Sequence, residues 1–208
     1  DAKGTKLAEN DDWSTDNRNA LANAFAARGA FPLAEGSADA ALIAGVGAGS
    51  YTVHLSGGRA AGRIGLIETY ELDRGTAQLV NLSSRLTVGA GAATGIAGFV
   101  VSGTTPQTLL IRGIGPALGR FGVERPLADP VLRIGNSSGT VVATNDNWGV
   151  TNAAAIAGAT AAVGAFALTL GSNDAAVLVT LLPGSYTAAV SDANGSSGVA
   201  LIEVYVVP

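Results

Sequence analysis

The chain has 208 residues, 29 of them glycine, with 5% aromatic and 13% charged residues, a net charge of −4, and neither cysteine nor methionine. At 48% hydrophobic it is not a disordered polar chain, and the missing cysteines exclude disulfides, thiolate metal sites and a Cys nucleophile. No Lys/Arg-rich cluster invites nucleic acid, and no apolar run reaches the roughly 18–20 residues of a membrane span.

In chain order, short apolar or alternating runs separated by Gly, Asn, Ser and Pro predict β-strands. They fall at Thr5–Glu9, Ala40–Val46, Ser50–Ser56 and Ile64–Leu72, and then at Gln78–Val88, Ile96–Ser102, Gln107–Gly113 and Pro130–Gly135. Four more follow at Thr140–Thr144, Ala175–Leu181, Ser185–Ser191 and Val199–Val207. Two Ala-rich stretches with polar starts, Asn19–Ala27 and Asn152–Ala162, predict short surface helices. Many short strands at this spacing predict an all-β fold, an antiparallel β-sandwich or jelly roll.

The chain also repeats itself. Residues 1–72 align with 136–207 at a constant offset of 135 without a gap, with about 30 of 72 positions identical. GTKLAENDDW (4–13) matches GTVVATNDNW (139–148), and GLIETYEL (65–72) matches ALIEVYVV (200–207). The layout predicts one and a half copies of a repeat: an incomplete half-unit at 1–72, then a complete repeat at 73–208, made of a middle segment (73–135) and a second half-unit (136–208). Beginning at Asp1 without an initiator Met, inside a repeat, the chain reads as processed after export.

The half-unit pattern of GT-hydrophobic-A-x-N-D-x-W, acidic loop, GSYT strand and final strand resembles the bacterial pre-peptidase C-terminal β-sandwich domains. The longer unit, with LLIRGIGPAL (109–118), ATNDNW (143–148) and LIEVY (201–205), is similar to tandem repeats of large secreted bacterial surface proteins. The resemblance implies an exported, non-catalytic β-sandwich. It also brings calcium into view, because the pre-peptidase family includes calcium-binding members. Asn10, Asp11, Asp12 and Asp39, with Asn145, Asp146 and Asp174 in the second copy, are the candidate oxygen ligands, although N-D turns often bond only their own backbone.

The two half-units differ in one respect. Residues 1–72 carry fifteen charged side chains and 136–208 only four, with Lys6 becoming Val141, Arg28 becoming Val163 and Glu71 becoming Val206. The final strand VALIEVYVV is apolar on both faces except for Glu203, which reads as a hydrophobic edge needing cover. Leu201, Val204, Val206, Val207, Val141 and Val163, with Thr5 and Leu7 in the first copy, are therefore the expected assembly interface. Trp13, Trp148, Tyr51, Tyr186, Tyr70 and Tyr205 are the expected structural core.

The expected function is an extracellular filament subunit, a homopolymer joined head-to-tail by strand or surface complementation. A segment of a longer tandem array and a closed monomer remain open, as does an adhesion or carbohydrate-binding module recognising surface glycans. Catalysis is not expected: His54 is the single histidine and its copy is Ala189, and no nucleophile elbow is present.

Overall fold

A computed structural model describes residues 1–57, 64–73, 78–89 and 93–208. The chain divides into two units, Asp1–Leu79 and Val80–Pro208. Among the described residues, no helix is long and apolar enough to cross a membrane.

Unit 2 is an all-β sandwich. Its strands are β1 (Asn81–Val88), β2 (Gly95–Val101), β3 (Gln107–Ile114), β4 (Pro130–Asn136), β5 (Val141–Asn145), β6 (Ala175–Leu181), β7 (Gly184–Asp192) and β8 (Gly198–Val206). One sheet runs β1-β8-β3-β6 and the other β2-β7-β4-β5, and every pairing is antiparallel. Inward-facing residues from both sheets, among them Val88, Ile111, Leu132, Ile134, Val190 and Ile202, close one core. Fully burying a side chain of this size contributes about 1.5–3 kcal/mol.

A second apolar cluster lies on the other face of the first sheet. Leu110, Ala176 and Tyr205 meet Trp148 and the residues Ile156 and Ala159 of the Ala-rich helix Ala153–Ala162. This explains why β3 and β8 alternate poorly. A strand covered on both faces has no solvent side to mark with polar residues. It also corrects the expectation of an exposed edge: β8 is an interior strand, paired with β1 through Val204↔Leu82 and with β3 through Val204↔Ile111.

Two glycines mark where the 3-10 turn Pro116–Phe121 and its following loop are pressed against the sheets. A Cβ on Gly115 would lie 2.2 Å from the Leu127 carbonyl oxygen, and one on Gly198 would lie 2.7 Å from Leu127 Cα. Between them, Leu127 N–H donates to the Val199 carbonyl at 2.8 Å. This loop packs as tightly as a core.

Unit 1 has one helix, Arg18–Arg28, and no strand among its described residues. The strands expected at Thr5–Glu9, Ala40–Val46, Ser50–Ser56 and Ile64–Leu72 do not form. The pairing in unit 2 supplies the reason. Every ladder there joins a strand lying within 81–136 to one lying within 141–206. No strand of the second kind pairs with another of its own kind. Unit 1 carries the counterparts of β5–β8, so its strand sequences have no complementary strands within the unit, and a strand without a ladder leaves its backbone groups to water.

For clarity, the helix of unit 1 (Arg18–Arg28) is α1 and that of unit 2 (Ala153–Ala162) is α2.

Candidate functional site

The part of each half-unit that closes locally is the same in both units. Asn10 Oδ1 accepts from Ala41 N–H at 2.9 Å, and Asn145 Oδ1 from Ala176 N–H at 2.9 Å. Trp13 Nε1 donates to the Ala34 carbonyl at 3.0 Å, and Trp148 Nε1 to that of Thr169 at 3.1 Å. Both indoles are buried. α1 and α2 each begin after an asparagine at positive φ, Asn17 at 55° and Asn152 at 57°. In unit 1, with no strand among its described residues, the loop and tryptophan thus keep the bonds that they make in unit 2.

Three of the residues expected to hold calcium have their side-chain oxygens engaged by the protein itself. Asn10 and Asn145 spend their side-chain oxygens on the backbone bonds above. Asp174 is buried: its Oδ1 accepts from Gly115 N–H at 2.9 Å and Ala117 N–H at 3.2 Å, and its Oδ2 from Ser172 Oγ at 2.8 Å. Asp11, Asp12, Asp39 and Asp146 are exposed. Among the described residues no group of three His, Cys, Asp or Glu side chains is placed to hold a metal ion.

The chemistry of unit 2 concentrates at Arg112 of β3. This guanidinium is wholly buried. Its Nε donates to Glu203 Oε2 at 2.7 Å, its Nη2 reaches the same oxygen, and its Nη1 donates to the Phe166 carbonyl at 2.6 Å. The cation lies 4.3 Å from the Phe166 ring centroid and 5.7 Å from that of Tyr205. Tyr205 Oη donates to the second carboxylate oxygen of Glu203 at 2.8 Å. Burial, then the Glu203 charge, pushes the Tyr205 pKa far up, against the opposing Arg112, so the phenol stays a donor. Glu203, Phe166 and Tyr205 form a socket with a cation seated in it.

Each wall of that socket has a counterpart in unit 1. Glu68 corresponds to Glu203, Tyr70 to Tyr205 and Phe31 to Phe166, all at the same offset of 135. Tyr70 Oη donates to Glu68 Oε1 at 3.1 Å, repeating the bond seen in unit 2. Burial, then this bond, raises the Tyr70 pKa. Yet Phe31, Glu68 and Tyr70 are all exposed. In the same unit Leu42, Val53, Leu55 and Ile67 are 49%, 64%, 52% and 48% exposed, whereas their counterparts Val177, Ala188, Val190 and Ile202 are at most 9% exposed in unit 2.

The residues expected to form the assembly interface are dispersed. Leu201, Val204 and Val207 are half-buried; Val204 packs on the sandwich core, and Val207 and Val163 pack on the second cluster. Val206 and Val141 are exposed in unit 2, and Thr5 and Leu7 are exposed in unit 1. Of the expected core aromatics, Trp13, Trp148 and Tyr205 are buried and Tyr186 is half-buried against Phe99. Tyr51 and Tyr70 are exposed instead, because the sheet that would cover them is not formed. Arg112 was not singled out by sequence. The signal for it was Glu203, a carboxylate retained within a strand otherwise stripped of charge.

No family model matches the chain, and neither does any curated protein. Among solved structures, the pre-peptidase C-terminal domain of a collagenase from Bacillus anthracis is similar over 60% of this chain and 89% of that domain, at 13% identity and a TM-score of 0.37.

Proposed function

We propose that this protein is an extracellular structural protein whose activity is assembly. Unit 1 is an open half-sandwich, completed by strands from a neighbouring polypeptide built of the same repeat, and successive completions join subunits head to tail into a filament. The observation that carries this reading is the pairing rule of unit 2, in which each half-unit strand finds its ladder only on strands of the middle segment. The exposed apolar side chains of unit 1, Leu42, Val46, Val53, Leu55, Leu66 and Ile67, support it. Burying them in a stable contact needs on the order of 1,000 Å² of total interface. The binding step is strand addition: backbone ladder bonds give affinity, and the side chains of the alternating positions give register.

The carbohydrate-binding reading gains no support from the tryptophans, since both indoles are buried and a stacking platform needs an exposed ring. Electron microscopy of native material tests the assembly reading. Filaments are expected, and they should be lost in a Leu42→Lys, Leu55→Lys variant, which leaves unit 2 untouched. Dispersed particles at high concentration in the unmodified protein overturn it.

A further inference from the structure

The occupant of unit 1 can be specified. We infer that it is a polypeptide segment of the 81–136 kind, not engaged by a half-unit of its own, and that its arginine enters the Glu68–Tyr70–Phe31 socket as Arg112 enters the socket of unit 2. This rests on the assembly reading and names the partner's chemistry.

Three observations converge on that segment. The first is charge. In unit 2, Arg112 and Glu203 are register partners across β3 and β8 and neutralise one another in a buried site. Glu68 offers the same carboxylate, already oriented by Tyr70, and among the described residues its one recorded hydrogen bond is to that phenol. Seating an apolar strand over Glu68 without a cation would bury an unpaired charge, which is strongly unfavourable. The occupant must therefore bring a cation, and the Phe166 carbonyl and ring that receive Arg112 in unit 2, whose counterpart is Phe31, suit a planar guanidinium better than an ammonium.

The second observation is the loop that follows. Asp174 holds the backbone N–H groups of Gly115 and Ala117, three and five residues after Arg112. Asp39 is its exposed counterpart in unit 1. An incoming segment with the sequence Arg-Gly-Ile-Gly-Pro-Ala would satisfy Glu68 and Asp39 together, at the spacing that the chain already uses once.

The third is stoichiometry. Residues 1–208 contain two half-units for a single middle segment, and in unit 2 that segment is fully engaged, with β1 on β8, β2 on β7, β3 between β6 and β8, and β4 between β5 and β7. Exchanging segments among identical copies of these residues frees one half-unit for every one it fills. Exchange alone therefore cannot close all of them. The segment that closes unit 1 is therefore one not spent on another half-unit.

The test mixes the intact 208-residue chain with a separately made peptide of residues 78–136 and follows binding by calorimetry and by hydrogen exchange. One peptide per chain is expected, with new protection across 6–10, 40–46, 49–57 and 64–71 and unchanged protection in 141–206. Glu68→Gln in the chain, or Arg112→Gln in the peptide, should weaken binding at least tenfold, whereas Glu35→Gln, at an exposed position outside the strand counterparts, should not. Should the peptide prove insoluble, the same segment fused ahead of Asp1 through a flexible linker gives the same readout by exchange protection. Absence of new protection in unit 1, protection unaffected by both socket substitutions, or a peptide that only displaces the segment of unit 2 overturns the inference. The two readings fail separately. Filaments that are indifferent to Glu68→Gln sink the socket and leave assembly standing, whereas a bound peptide without filaments does the reverse.

Discussion

Arg112 and Glu203 face each other across β3 and β8, and they form the one ion pair among the described residues in which both side chains are buried. Removing one member strands the other in an apolar layer. Arg112→Met should destabilise unit 2 by about 3–5 kcal/mol. Arg112→Met combined with Glu203→Leu should recover much of that loss, because the unpaired charge disappears with its partner. Denaturant unfolding of these two variants and of Glu203→Leu alone checks both statements, and an additive double variant would refute the account.

The two aspartates at equivalent positions should behave differently. Asp174→Ala leaves the N–H groups of Gly115 and Ala117 without their acceptor and should cost about 1–3 kcal/mol. Asp39 is exposed, and Asp39→Ala should fall within about 0.5 kcal/mol of the parent when the chain is assayed alone. With the 78–136 peptide bound, Asp39→Ala should become as costly as its counterpart. Melting curves with and without peptide provide the comparison.

Gly198→Ala sets a methyl group 2.7 Å from both the Cα and the backbone nitrogen of Leu127, atoms that cannot turn aside. A loss of about 1–3 kcal/mol or more is expected from such overpacking. Gly119→Ala, in the 3-10 turn, meets nothing within 4 Å and should be close to neutral. Equal stability of the two variants by thermal melting would contradict the tight seating of the Leu127 loop.

Acid should weaken unit 2 through Asp192. Burial works to raise the pKa of this carboxyl, but backbone N–H bonds from Ser196 at 2.9 Å, Asn194 at 3.0 Å and Asp129 at 3.2 Å outweigh it and hold the value below the ordinary 3.8. A depressed folded pKa stabilises above the unfolded value, and that contribution is lost as the pH falls through the folded one. Asp129 has the opposite sign: burial, then the charges of Asp146 and Asp192, raise its pKa, so its contribution is present at low pH and lost as the pH rises through the raised value. Asp192→Asn should therefore lower Tm at pH 7 and flatten its decline between pH 5 and 3. Asp129→Asn should show its greatest benefit, or least harm, at neutral pH. Scanning calorimetry across that range distinguishes the two signs.

The sequence foretold the strands of unit 2 closely. Ala175–Leu181 is β6 as drawn from its apolar run, and β7 and β8 differ from expectation by one residue at each end. Unit 1 departs from its reading because strand formation is not a local property. Ser50–Ser56 and Ser185–Ser191 share the GSYT start, yet only the second has β2 and β4 on either side. The Trp-centred loops and helices repeat faithfully in both units because both partners of each bond lie within one half-unit. What alternation could not reveal at β8 was which kind of two-faced strand it was. Val204 and Val206 look alike in the sequence, but Val204 packs on the sandwich core while Val206 is 39% exposed. Glu203, read as an exception in an apolar strand, was the visible half of a pair whose other half stood 91 residues earlier among leucines and isoleucines.

The order of the strands also governs time. Successive strands mostly alternate between the two sheets, and among the described residues β4 and β5 are the only chain neighbours that pair with each other. Nearly all the ladders must close over long loops, a topology that folds on the millisecond-to-second scale rather than in microseconds. The slot between β1 and β3 belongs to β8, the last strand to be synthesised among the eight, and β6 and β7 also emerge only after the whole middle segment has been made. Throughout that interval the ladders of β1, β2 and β3 wait for strands that have not yet been made. On the assembly reading, an open half-unit within reach would have that same interval in which to compete for them.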